Sequence, residues 1–207
     1  MRIKKQTLGS IILFMLVGGT SQAATSTCFD FSQPIKSPLM APIPMKLKAD
    51  ARASGTTPSK SVWGAARGIV NKPIQLVYTE LLDHYTVKDR NRVKLRVYEQ
   101  PMAGFQNHDV VMVSLDTPVS KVEWEEEWGY VLKDGTAEAP KDIVISYQKS
   151  NGTAFMPHMC GSIEIKSIDA NSTDVFLYEE INALGKRSGD ETVKGHIGTL
   201  ATLRKSA

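Results

Sequence analysis

The sequence is short of the residues that announce a reaction. Its four histidines, His84, His108, His158 and His196, share no metal-binding spacing, and neither HExxH nor CxxC occurs. The chain therefore carries no recognisable zinc motif. GxSxG is absent, which removes the strand–turn–helix serine nucleophile. No phosphate loop and no dinucleotide fingerprint is present. Nothing in the sequence calls for a cofactor. Cysteine is scarce, with only Cys28 and Cys160. After the first 23 residues there is no second long apolar run.

A lasting excess of charge is missing too. The formal net charge is +3, from 25 basic and 22 acidic residues. Three of the basic ones, Arg2, Lys4 and Lys5, lie in the first 23 residues, which leaves 22 of each sign. A balanced chain gives no reason to expect nucleic acid or an anionic membrane surface as a partner.

The first segment, MRIKKQTLGSIILFMLVGGTSQAA, has the form of a secretory signal. A basic start precedes an apolar stretch, Leu8 to Val17, broken only by Gly9 and Ser10. Small residues follow, and Ser21-Gln22-Ala23 fits signal peptidase. The stretch is far short of the roughly 20 apolar residues a spanning helix needs. Thr25-Ser26-Thr27 before Cys28 does not make a lipobox. The expectation is cleavage after residue 23, no transmembrane segment afterwards, and a periplasmic or secreted product. In that compartment an even pair of cysteines suggests a Cys28–Cys160 disulfide. Spacing alone does not establish it, because the Cα atoms must also come within bridging range. The sequons at Asn151 and Asn171 matter only in a eukaryotic source, and the short basic start reads as bacterial.

Residues 24–60 read as an irregular, proline-rich arm, punctuated by Pro34, Pro38, Pro42, Pro44 and Pro58. From 61 to 207 the pattern is that of one folded domain. SVWGAARGIV (61–70) is a first strand. Asn71-Lys72-Pro73 is a helix start, and Ile74, Val77, Tyr78, Leu81, Leu82 and Tyr85 form one buried helical stripe. Alternating or apolar strands follow at 93–97, 110–115, 121–132, 143–147, 161–168 and 174–182, separated by turn residues. Val193, Ile197, Leu200 and Leu203 mark a last amphipathic helix, weakened by Gly195 and Gly198.

The order strand, helix, antiparallel strands, helix is that of an α+β fold in which helices at each end cover the concave face of a curved sheet. Three stretches carry a resemblance: GIVNKPIQLVYTELLD (68–83), VEWEEEWGYVL (122–132) and CGSIEIKSIDANSTDVFLYEEI (160–181). Together they resemble the START-like, or polyketide cyclase/lipid-transport (SRPBCC, Bet v 1-like), helix-grip superfamily over about 61–205. The resemblance implies a cavity between sheet and helices that takes a hydrophobic small molecule or lipid.

The strand at 121–132 holds the candidate site. Val122, Trp124, Glu126, Trp128, Tyr130 and Leu132 share one face, and Glu123, Glu125 and Glu127 the other. Either the first face lines a cavity, with Glu126 or Tyr130 orienting a ligand hydroxyl or amine, or the two tryptophans are core and Glu126 lies near an open strand end. A bulge in this strand would reverse the phase. Phe155 and Met156 are further lining candidates. The run Phe155-Met156-Pro157-His158-Met159-Cys160 gathers soft ligands, but no second cluster accompanies it, and no metal is expected there. A cyclase- or dehydratase-like enzyme needs a paired acid and base. Glu126 has no partner that the sequence identifies, so binding is favoured over catalysis. A third reading makes the interior a filled core and the arm at 24–60 a docking element for a protein partner.

Overall fold

The structure, a computed structural model, describes residues 28–40, 50–89, 91–117, 121–183 and 188–205. The expected signal, residues 1–23, lies outside the described residues. Eight strands form one antiparallel sheet: β1 (Ala51–Thr56), β2 (Val62–Val70), β3 (Val93–Glu99), β4 (Asn107–Asp116), β5 (Lys121–Gly135), β6 (Pro140–Gly152), β7 (His158–Asp169) and β8 (Ser172–Asn182). Helix α1 (Ile74–Leu82) follows β2, and helix α2 (Gly189–Lys205) follows β8. The spatial order is β1-β2-β8-β7-β6-β5-β4-β3. Every strand from β3 to β8 pairs with its sequence neighbour, as short turns require. The long excursion between β2 and β3 leaves room for α1, and β8 returns beside β2.

The helices cover one face. α1 packs on β6, β7 and β8 through Ile74, Val77 and Leu81, and α2 on β1, β2 and β8 through Val193, Leu200 and Leu203. These residues join Trp128, Tyr130, Tyr147, Ile163, Ile165 and Leu177 in one core. Gly64 sets the approach of α2. A Cβ there would lie 2.7 Å from Gly189 O and 2.8 Å from Thr192 Cβ, so only glycine lets the helix sit this close to β2.

The other face is also covered. Residues 28–40 lie across it, with Phe29, Phe31, Ile35 and Leu39 packed around Cys160, Phe105, Ala65, Phe176 and Tyr178. Gln148 accepts from the amides of Cys28 and Phe29 at 3.0 Å each and donates to Phe29 O at 3.0 Å. The Leu39 amide donates to Ser162 Oγ at 3.0 Å. Cys28 and Cys160 form a disulfide. Burial from both sides explains why Ile143 to Lys149 of β6 is buried without alternation.

Four details differ from the sequence reading. Residues 51–56, assigned to the irregular arm, form β1, paired with β2 from Ala51↔Arg67 to Thr56↔Val62. The polar, small side chains of ARASGT hide the alternation that an edge strand needs to be legible. The helix expected through Tyr85 ends at Leu82, and His84–Thr86 form a 3-10 turn capped by Asp83, whose carboxylate accepts from the Tyr85 amide at 3.0 Å. Asn71 does not cap α1; Pro73 occupies that position, with no side-chain bond. The strand expected to end at residue 132 continues through Lys133-Asp134-Gly135 as part of β5.

Candidate functional site

β5 presents Trp124, Glu126, Trp128 and Tyr130 on the helix-covered face, and all four are buried. A register shift does occur between Glu125 and Glu126. Its extra residue is Ser150 of β6, since Glu125 faces Asn151 and Glu126 faces Lys149. The alternation along β5 is therefore kept.

Glu126 is completely buried. Such a carboxylate is tolerated only when donors replace water. Three do so: Trp124 Nε1–H donates to Oε1 at 2.7 Å, Trp128 Nε1–H to Oε2 at 3.0 Å, and the Lys88 ammonium to Oε1 at 2.8 Å. The two indoles lie two residues to either side on one strand, so the period of two aims both at the same carboxylate. Lys88 reaches in from the segment after the 3-10 turn, and its side chain is only 13% exposed.

The same ammonium lies over aromatic faces, 5.9 Å from the Trp128 ring centre and 5.5 Å from that of Tyr147. Those rings stack at 4.3 Å and 13°. Carboxylate below and π faces beside it make a cation cage. Tyr147 in turn lies across Gly161, where a Cβ would collide with its Cζ and hydroxyl. The missing side chain lets the Tyr147 hydroxyl donate to Glu179 Oε2 at 3.3 Å. Burial, with the charges of Glu179 and Glu126, pushes the Tyr147 phenol well above its ordinary range, so it stays a donor.

Beside the cage, His84 Nε2 lies 3.1 Å from Asp109 Oδ2, and the His84 ring meets Trp128 edge-on at 4.7 Å. His84 Nδ1 and the Tyr130 hydroxyl are buried without a hydrogen-bond partner among the described residues. Burial first, then the charges of Asp109 and Tyr78, raise the Tyr130 phenol well above its usual value. Tyr78, raised to about 12 by burial and by Asp109, donates to Asn107 Oδ1 at 2.8 Å. His196 on α2 is lowered by burial and so is neutral; its Nε2–H donates to Gly64 O at 3.2 Å.

Of the residues singled out from the sequence, Trp124, Glu126, Trp128 and Tyr130 are brought together here. Met156 is buried in the same core. Phe155 stands at the β6–β7 turn, 58% exposed and away from the cage. Lys88, Tyr147, Glu179 and the His84–Asp109 pair were not legible. Lys88 is one lysine among many in a polar stretch, and His84 meets Asp109 only through tertiary packing, 25 positions apart. Surface grooves of 450 and 350 Å³ run along β3, β4 and β5, apart from the cage. Among the described residues, no helix is long and apolar enough to cross a membrane.

No family profile and no curated protein sequence matches the chain. Solved structures do. The lipid transfer and protein localization domain of human StarD13 superposes with a TM-score of 0.55 at 11% identity, over 78% of this chain and 86% of that one. Human STARD10 gives 0.56 at 11% identity, over 79% and 72%. A STAR-related lipid transfer protein from Xanthomonas axonopodis gives 0.53 at 12% identity, over 78% and 95%. With the eight-stranded antiparallel sheet and its two covering helices, these likenesses show that the chain has the START-like helix-grip fold.

Proposed function

We infer that this is an exported binding protein for an amphipathic small molecule or lipid, held between sheet and helices with a cationic or hydroxyl group on Glu126. The observation that carries this reading is the cage around Lys88. A carboxylate fixed by two indole donors and flanked by two stacked rings is a receptor for an ammonium group, and here a side chain of the same protein is the guest. Lys88 sits beyond the regular elements, so its withdrawal need not disturb sheet pairing. A ligand ammonium replacing it would restore the pairing to Glu126. Each buried methylene of the ligand would add about 0.8 kcal/mol, so a chain of about ten gives roughly 8 kcal/mol to offset the displacement. The structural neighbours described as lipid transfer domains support a hydrophobic cargo.

The described arm supports this reading over docking. Residues 28–40 are seated on the chain's own sheet, bound by Gln148 and the disulfide. One observation favours a second, enzymatic reading: the His84–Asp109 pair supplies the acid–base partner that the sequence did not identify. Native mass spectrometry of the purified protein, with organic extraction, tests the binding reading. Co-purifying amphiphiles, or uptake of fatty acids, sterols or long-chain amines, are expected. A protein that is reproducibly empty and rejects all three classes would overturn it. Turnover lost in both His84→Asn and Glu126→Gln, with folding intact, would instead select the enzyme.

A further inference from the structure

On the opposite face of the sheet, strand periodicity builds a second cluster. His158 and Cys160 are two apart on β7, and Glu180 of β8 stands directly across from Cys160. The disulfide brings Cys28 of the arm to the same point. His158 Nε2 lies 3.6 Å from Cys28 Sγ, 3.6 Å from Cys160 Sγ and 3.4 Å from Glu180 Oε1. The sulfurs and the imidazole nitrogen all lie within 4.8 Å of one another. Cys160 is fully buried, and the His158 and Glu180 side chains are 13% and 18% exposed.

The three separations measured from His158 match those of a coordination polyhedron. Zinc bonds of about 2.3 Å to sulfur and 2.0–2.2 Å to nitrogen and oxygen, at tetrahedral angles, place S and N about 3.6 Å apart and N and O about 3.4 Å apart. Two features differ: the sulfurs are covalently bonded, whereas two thiolates on one zinc stand about 3.8 Å apart, and the Glu180 carboxylate lies outside the 4.8 Å group formed by the sulfurs and His158, so it must swing towards the sulfurs to bind. The donor set, two thiolates, one imidazole and one carboxylate, suits Zn²⁺ in chemistry and in number. Met156 and Met159 of the same segment are turned into the core on the other side of the sheet and are not donors.

We propose that Cys28, Cys160, His158 and Glu180 are a two-state clamp on the N-terminal arm, a disulfide when oxidised and a zinc site when reduced. A dithiol opens the bridge, passing one hydrogen to each sulfur and closing to its own cyclic disulfide. Zn²⁺ then displaces the two thiol protons to solvent and binds both thiolates, His158 Nε2 and Glu180 Oε1. Either state holds residues 28–40 on the sheet, so the clamp survives a change of redox conditions.

The test uses the purified protein, oxidised or reduced with a phosphine under nitrogen, titrated with Zn²⁺ alone. One Zn²⁺ per reduced chain and none per oxidised chain is expected by native mass spectrometry. Co²⁺ in place of Zn²⁺ should give thiolate-to-metal charge-transfer absorption. His158→Gln and Glu180→Gln should each weaken Zn²⁺ binding at least tenfold. Proteolysis should cut the arm of the reduced chain and spare it once Zn²⁺ is added. The proposal is overturned if the reduced chain takes no stoichiometric Zn²⁺. It also fails if the oxidised chain binds equally, or if both variants bind like the parent. A reduced chain that unfolds and is not restored by Zn²⁺ counts against it as well.

Discussion

Tyr147 lies flat across Gly161, filling the space that any other residue there would occupy. The consequence reaches two strands further, since this is how its hydroxyl meets Glu179 on β8. Gly161→Ala forces the ring off Trp128 and away from Glu179. Overpacking of this kind costs about 1–3 kcal/mol. Urea unfolding should show that loss, and the variant should lose much of the Trp128–Tyr147 stacking signal in near-ultraviolet circular dichroism.

The Lys88–Glu126 pair makes a second prediction. Removing one partner of a buried pair leaves an uncompensated charge, typically at a cost of about 3–5 kcal/mol. Lys88→Met should therefore destabilise the fold by about 3 kcal/mol. The double variant Lys88→Met/Glu126→Gln should recover much of that, because the amide oxygen still accepts from one indole and no charge is stranded. A double-mutant cycle by denaturant unfolding measures the coupling, and simple additivity would contradict the pairing.

How much of this could be read beforehand follows from which interactions are local. The phase of β5, and with it the company of Trp124, Glu126 and Trp128, is a period-two pattern that needs no tertiary information. The stripe of α1 is equally local. β1 is not legible because an edge strand of Ala, Arg, Ser, Gly and Thr has no apolar face to display. The end of α1 is hidden because Tyr85 continues the helical spacing, although its hydroxyl accepts from the Leu95 amide at 3.0 Å. Lys88 and Asp109 could not be found at all: each gains its meaning from a partner on another element. The disulfide is intermediate. Its plausibility was compositional, and its existence depends on an arm path that no periodicity encodes.

His196 supplies a pH dependence. Burial lowers its folded-state value below the ordinary 6.5, with Glu179 opposing and Lys88 reinforcing that shift. The unfolded chain therefore takes up a proton first as pH falls. The stability contributed by the neutral imidazole is complete above about pH 6.5 and is lost on acidification towards its folded-state value, at a limiting slope of about 1.4 kcal/mol per pH unit. His196→Gln, which keeps a donor for Gly64 O, should flatten this limb. An unchanged slope between pH 6.5 and 5 would assign the acid sensitivity to other groups.

The cation cage is the centre of the account, and one binding comparison tests it most directly. Dodecylamine is titrated into the parent, Lys88→Ala and Lys88→Ala/Glu126→Gln proteins, and binding is followed by calorimetry and tryptophan fluorescence. Vacating the cage in Lys88→Ala is predicted to tighten binding at least tenfold and to quench Trp124 and Trp128, and removal of the Glu126 charge is predicted to abolish the gain. Equal affinity in all three proteins, or tightening that survives Glu126→Gln, would contradict it.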